Sequence, residues 1–184
     1  MWAVFVTAPE ASVKDVQALL ESLHDALGVL DLSSGPAKGE FAVLTSKNLA
    51  SIVPPDLGVL PLRTDELSAN HFAKASLEEI NKFVREKEKM LKETLELSTH
   101  HWVVMDRECL EGSKQSCIVC EQKFEFNEDK PSGGENSEDG YTNEFRAARI
   151  DQEDVLSMLN NLDIANMDWE DWADDEGIVD DYEV

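Results

Sequence analysis

The cysteines in the middle of the chain have a spacing that suits metal or redox chemistry. Cys117 and Cys120 form a C-x-x-C pair, and Cys109 precedes them. Zinc binding and thiol redox chemistry both use such pairs. Ile118 and Val119, inside the pair, favour a β-strand, in which residues three apart point to opposite faces. We therefore interpret the cysteines as buried structural residues, and we predict no metal site and no cofactor. A zinc-stabilised module stays open as an alternative.

Two adjacent histidines support the alternative hypothesis, that the protein is an enzyme of unknown reaction. His100 and His101 could supply a general base, because histidine titrates near neutral pH. Asp106 and Cys109 follow them in the sequence. An enzyme of this kind needs a concave pocket near residues 98–106, where these polar groups converge. No serine or cysteine turn motif accompanies the histidines, so a position in the linker before a strand is the preferred interpretation.

Two tryptophans near the C-terminus are surrounded by acidic residues. Trp169 and Trp172 lie three residues apart, and we expect a short helix capped by Asn166 and ended by Gly177. On a helix both rings share one face. They either cover the edge of a sheet or anchor a partner. The candidate partner-binding residues are Trp169, Trp172, Asp168, Asp171 and Asp175. A calcium loop is not indicated, because the glycine comes too late.

The net charge limits the classes of partner. The chain carries 39 acidic and 16 basic residues, for a net charge of −23, and residues 151–184 contain 13 acidic and no basic residues. This charge opposes binding to DNA, RNA or an anionic membrane. We therefore predict a non-enzymatic acidic module that binds a basic protein, with long-range attraction followed by burial of apolar anchors. No secretory signal or membrane-spanning run is apparent, which predicts a cytoplasmic protein.

Periodicity divides the chain into two halves of an α+β (mixed α/β) fold. Residues 1–98 are predicted to form a strand–helix–strand–strand–helix unit, and residues 99–176 a small antiparallel sheet with two C-terminal helices. Residues 177–184 are predicted to be a flexible acidic tail. Strands are predicted at 2–7, 29–32, 40–45, 58–62, 102–106, 116–126 and 143–150. Helices are predicted at 13–27, 77–97 and from 152, with a short helical turn at 47–52 and loops at 33–39 and 127–140.

The second half resembles a microbial domain family of unknown function. The matching features are the strand WVVMD at 102–106, the hairpin after it, and the motif LDIANMDWEDWA at 162–173. The second motif is the more specific one. The resemblance covers about residues 100–176 and implies that the acidic tryptophan segment belongs to the folded domain. It implies no activity, and it does not extend to the first hundred residues, for which we identify no resemblance.

Overall fold

Seven strands and four helices are found in the residues described by this computed structural model, which are 1–25, 36–52, 54–111, 116–124 and 141–173. The strands are β1 (Trp2–Val6), β2 (Ala37–Lys38), β3 (Phe41–Val43), β4 (Val59–Leu60), β5 (His101–Met105), β6 (Ser116–Phe124) and β7 (Tyr141–Asp151). The helices are α1 (Val13–Asp25), α2 (Leu77–Glu93), α3 (Arg107–Glu111) and α4 (Gln152–Asp163). Short 3-10 turns lie at Leu49–Ser51, Pro54–Asp56 and Trp169–Asp171.

A mixed five-stranded sheet runs through both halves of the chain, in the order β3-β1-β5-β6-β7. β1 pairs in parallel with β3 and with β5. β5, β6 and β7 are antiparallel in succession, as predicted for the second half. β2 and β4 form a separate antiparallel pair. The α+β fold class is confirmed, and the pairing of β1 with β5 joins the two halves in one sheet.

The interior strand β1 is apolar on both faces because helices cover both sides of the sheet. Val4 and Val6 pack on the layer that contains α1 and α4, whereas Ala3 and Phe5 pack on the layer that contains α2. All four side chains are 1% exposed or less. A strand buried in this way has no polar alternation, which is why it appears in the sequence as a short continuous apolar run.

Helix α2 begins where the sequence predicts and ends earlier. The Ser76 hydroxyl accepts a hydrogen bond from the Glu79 amide at 3.2 Å, and the Glu79 carboxylate accepts one from the Ser76 amide at 3.1 Å. This is the predicted capping box. The helix ends at Glu93 rather than near residue 97, because Glu96 takes a left-handed φ of 55°. The Leu97 amide then donates to the Leu91 carbonyl at 3.0 Å and closes the last turn.

Several local predictions were wrong. Residues 37–38 form β2 inside the predicted loop, and the five-residue helix α3 was not predicted. In contrast, the short helical turn predicted at 47–52 forms as a 3-10 turn at Leu49–Ser51. The strand at 29–32, the loop at 127–140, the end of the first helix and the tail at 177–184 lie outside the described residues.

The predicted division near residue 98 falls between α2 and β5, and it stays a prediction. Across the described ranges, no helix is both long enough and apolar enough to cross a bilayer.

Candidate functional site

Charged side chains form a row across three neighbouring strands and contact residues 163–170 of the chain. His101 of β5 lies directly opposite Glu121 of β6, and Glu121 lies directly opposite Arg146 of β7. His101 Nε2 is 3.1 Å from a Glu121 carboxylate oxygen, and Arg146 Nε donates to the other oxygen at 2.5 Å. Opposite charges at directly paired strand positions stabilise a sheet. We call His101, Glu121 and Arg146 the charge row.

Residues 163–170 supply one carboxylate to each end of the charge row. Asp163, at the end of α4, contacts His101 Nδ1 at 2.6 Å. Glu170, in the 3-10 turn, accepts a hydrogen bond from Arg146 Nη1 at 2.6 Å. Asp163 and Glu170 both belong to the motif that carries the family resemblance. These two carboxylates therefore fasten the acidic tryptophan segment to the sheet.

The charge row shifts the pKa values of its members. Burial opposes protonation of His101, but the hydrogen bonds with Asp163 and Glu121 outweigh burial and raise its pKa. Burial likewise opposes ionisation of Glu121, and its contacts with His101 and Arg146 outweigh burial and lower its pKa. The pKa of Glu170 is also lowered, by a backbone hydrogen bond and by Arg146. The row thus favours a protonated histidine between ionised carboxylates.

The two tryptophans lie at different depths. Trp169 is 0% exposed and packs in the core with α1 and α4, and the Arg146 guanidinium lies over its ring. Trp172 is half-buried and packs against the same core. The segment forms a short 3-10 helical turn at Trp169–Asp171 with Asp168 as its N-cap, so the predicted cap at Asn166 was wrong. Asn166 instead donates to the Asn161 side chain at 2.8 Å.

The acidic members of the predicted binding set stay at the surface where the structure describes them. Asp168 and Asp171 are exposed, and the Asp168 amide donates to the Asp171 carboxylate at 2.9 Å. Asp175 and the predicted helix end at Gly177 lie outside the described residues. The partner-binding role of the set stays a prediction.

The structure separates the histidines of the alternative enzyme site from Asp106 and Cys109, which contact each other. His101 begins β5 and Asp106 follows its last residue, so about 16 Å of strand separates them. Both ring nitrogens of His101 are occupied by carboxylates, which leaves neither nitrogen to accept a proton from a substrate. Asp106 is 0% exposed; it accepts a hydrogen bond from the Cys109 amide at 2.9 Å and pairs with Arg149 at 2.8 Å. These contacts give both groups structural roles.

The carboxyl ends of the parallel strands are the usual ligand site of an open α/β sheet. Here the chain's own residues 70–74 bind there. The Asn70 side-chain amide donates to the Val6 carbonyl at 2.7 Å. The backbone amides of His71 and Lys74 donate to the carbonyls of Thr45 and Thr7, each at 2.8 Å. The ends of β1 and β3 are therefore occupied by protein.

Two neighbouring cavities of about 200 and 220 Å³ lie along β3, away from every residue singled out by the sequence. They share Val43, Leu57, Asp56, Arg63 and Glu66 in their linings. Within the described residues, no group of three or more histidine, cysteine or carboxylate side chains is placed to hold a metal ion.

Sequence reasoning missed three residues that shape this region. Glu121 and Arg146 are charged residues inside predicted strands, and such charges at inward positions signal paired partners. Ile164 is an apolar residue in a polar turn, and it is 73% exposed. The sequence signal for this residue was an apolar side chain among polar neighbours, directly after the end of α4.

The comparisons with known proteins place the chain in a family. The family model of DUF6924, a domain of unknown function, matches residues 40–182. The chain therefore belongs to this family, and the predicted resemblance is confirmed over a longer stretch than residues 100–176. No curated protein and no solved structure matches the chain significantly.

Proposed function

We propose that this chain is a non-enzymatic module that binds a basic protein through the outer surface of α4 and the turn that follows it. This surface, which we call the α4 acidic surface, comprises the exposed residues Asp151, Glu153, Asp154, Asn160, Ile164, Asp168 and Asp171. The observation that carries the proposal is Ile164, a 73% exposed isoleucine in a segment with seven acidic and no basic residues between positions 151 and 173.

The helical spacing of α4 separates a buried side from an outer side. Val155 and Leu159 are 0% exposed and pack in the core. Glu153, Asn160 and Ile164 recur at the spacing of one helix face, and Ile164 extends that face just past the last residue of α4. The outer side therefore offers an apolar residue at one end and carboxylates at the other, separated by about 16 Å.

The charge of this surface is not neutralised by neighbouring cations. Among the described residues, no ion pair joins Asp151, Glu153 or Asp154 to a lysine or arginine. Asp163 and Glu170 differ, because His101 and Arg146 already bind them. A basic partner would meet carboxylates that are solvated but unpaired, which increases the rate of encounter. An exposed aliphatic side chain beside them supplies apolar contact once the partner docks.

Trp169 supports this surface from beneath and is not its anchor in this proposal. Its ring is fully buried, so it positions the turn that carries Asp168 and Asp171. Trp172 is half-buried and lies at the margin of the surface.

The proposal is tested with defined basic probes. The full chain is immobilised, and binding of Lys/Arg-rich peptides is measured with and without a central leucine or phenylalanine. We expect binding that weakens steeply as NaCl is raised, because screening shortens the range of the attraction to about 10 Å at 0.1 M salt. We also expect the peptides with an apolar residue to bind more tightly, and Ile164→Ser to abolish that difference.

A matched pair of charge variants separates a specific surface from general acidity. Glu153→Gln/Asp154→Asn removes two charges from α4, and Glu78→Gln/Glu86→Gln removes two exposed charges from α2 on the other face of the sheet. We expect only the first variant to weaken binding strongly. Equal losses in both variants, or binding that is independent of salt, would overturn the proposal.

A further inference from the structure

A pair of buried thiols lies where α3 meets β6. The Sγ atoms of Cys109 and Cys117 are 3.3 Å apart. A disulfide bond is about 2.05 Å long, so the two sulfur atoms need to approach by only about 1.3 Å to become bonded. Cys109 lies in α3 and Cys117 is the second residue of β6. Both belong to the core layer that contains α1 and α4.

This pair differs from the one that the C-x-x-C spacing suggests. Cys117 and Cys120 point to opposite faces of β6, because Cys120 packs in the layer that contains α2. Strand alternation thus separates the two cysteines of the motif and brings Cys117 to Cys109. Cys120 is 0% exposed and provides a matched control in the same strand.

The local contacts decide how the pair would react. Cys109 is 5% exposed and Cys117 is 0% exposed, so both are buried and Cys109 is the less deeply buried of the two. The hydrogen bond with Cys117, followed by burial, raises the pKa of Cys109. Because the thiolate is the attacking species, exchange is slow at neutral pH and faster at mildly alkaline pH.

We propose that Cys109 and Cys117 are a disulfide-forming modification site, oxidised by a low-molecular-weight disulfide of the glutathione type. The Cys109 thiolate attacks one sulfur of oxidised glutathione, forms a mixed disulfide and releases one glutathione thiolate. The Cys117 thiol then loses its proton and attacks Cys109 Sγ, which releases the second glutathione. The two protein thiols lose two electrons and two protons in total, and one oxidised glutathione becomes two reduced ones.

The resulting bond would tie α3 to the start of β6. Asp106 already fixes the beginning of α3 through the Cys109 amide. The disulfide would add a covalent connection between elements that are now held by packing and one sulfur contact. Its loop is short, so the gain in stability from restricting the unfolded chain is smaller than for a long loop.

The experiment uses the full folded chain at mildly alkaline pH with an excess of oxidised glutathione. The reaction is quenched with acid, the protein is denatured, and the remaining thiols are alkylated and mapped by mass spectrometry. We expect loss of two hydrogen atoms, a peptide linked through Cys109 and Cys117, and alkylation of Cys120 alone. The Cys120→Ser variant should form the same bond and retain no alkylated thiol.

The measurements on wild-type protein test the proposal even if a variant folds poorly. Cys117→Ser should form no internal disulfide. Wild-type protein oxidised in urea should give mixed pairings that include Cys120, in contrast to the single pairing in the folded state. Three alkylated thiols after prolonged oxidation of the folded chain, or a bond that involves Cys120, would overturn the proposal.

Discussion

The guanidinium of Arg146 lies over the indole ring of Trp169, with Cζ 4.9 Å from the ring centroid. The same guanidinium binds Glu121 in the sheet and Glu170 in the turn that carries the tryptophan. One cation therefore joins an aromatic ring and two carboxylates that are distant in sequence. A cation–π contact of this kind contributes about 0.5–2 kcal/mol, depending on its exposure to water.

Replacing Trp169 should destabilise the fold severely. Its ring is 0% exposed in the core, so Trp169→Ala should lower the free energy of unfolding by about 3–5 kcal/mol. This loss is large compared with the total stability of about 5–15 kcal/mol of most domains. Urea denaturation followed by circular dichroism measures it. Trp172→Ala is the matched control; because Trp172 is only half-buried, its loss should be clearly smaller. Equal losses would show that burial does not distinguish the two rings.

Stability should depend on pH through His101. Its pKa is raised above the ordinary value of 6.5, so its contribution is complete below that pH and is lost as pH rises through the folded-state pKa. The pKa of Glu121 is lowered below 4.5, so its contribution is lost as pH falls through that lowered value. The free energy of unfolding that this row contributes should therefore be greatest between these limits. Urea denaturation across the pH range, at constant ionic strength, measures it.

The variant His101→Gln separates this effect from general titration. It should be less stable than wild type at pH 6, and its stability should change less above pH about 6.5. His100→Gln is the neighbouring control, because burial lowers the pKa of His100 and gives a dependence of opposite sign. An unchanged alkaline slope in His101→Gln would assign the pH dependence to other groups.

Removing Arg146 should destabilise the fold, because Glu121 loses one of its two charged partners. In Arg146→Met the half-buried Glu121 keeps only His101 as a charged partner, and hydrogen bonds to charged groups contribute about 1.5–3 kcal/mol each. We expect a loss of at least that size, because the contacts with Glu170 and Trp169 are lost as well, and partial recovery when Glu121→Gln is added. Lys123→Met is the control, since the Lys123–Glu144 pair is exposed and should contribute about 0–1 kcal/mol. Additive effects of Arg146→Met and Glu121→Gln in a double-mutant cycle would contradict the coupling.

Asp106 should tolerate asparagine better than alanine. Asparagine keeps an acceptor for the Cys109 amide and loses the charge that faces Arg149; alanine loses both. We expect about 3–5 kcal/mol of destabilisation for Asp106→Ala, and a loss about 1 kcal/mol smaller for Asp106→Asn. Arg149 retains Glu108 at 3.2 Å in either variant. Thermal or urea unfolding of the two variants side by side gives the difference, and a ranking with asparagine worse would contradict the capping role.

The sequence predicts the elements of this fold better than their assembly. The capping box at Ser76 and the apolar run of β1 are local signals, and both elements form where predicted. The parallel pairing of β1 with β5 joins residues about a hundred positions apart, and no local pattern specifies such a partner. Helix α3 was missed because five residues show too few turns to establish a period.

The residues of the candidate site were likewise predicted better than the contacts among them. The acidic tryptophan segment stands out in the sequence by composition, and the structural interpretation of Trp169 agrees with its complete burial. The contacts of this segment with His101 and Arg146 depend on strand register, which the sequence does not display. Ala165, with φ of 51°, separates α4 from the 3-10 turn at Trp169–Asp171, and no sequence pattern indicated this left-handed conformation.

The charge row crosses the sheet at right angles to its strands, and β7 is an edge strand. Edge strands are held to the sheet on one side only, so they open most readily. The contacts among His101, Glu121 and Arg146 connect β5, β6 and this edge strand. Glu170 binds the Arg146 end of the row. Opening of β7 and release of the tryptophan turn should therefore be one event. Amide hydrogens of β7 and of the turn would then exchange with solvent at a common rate.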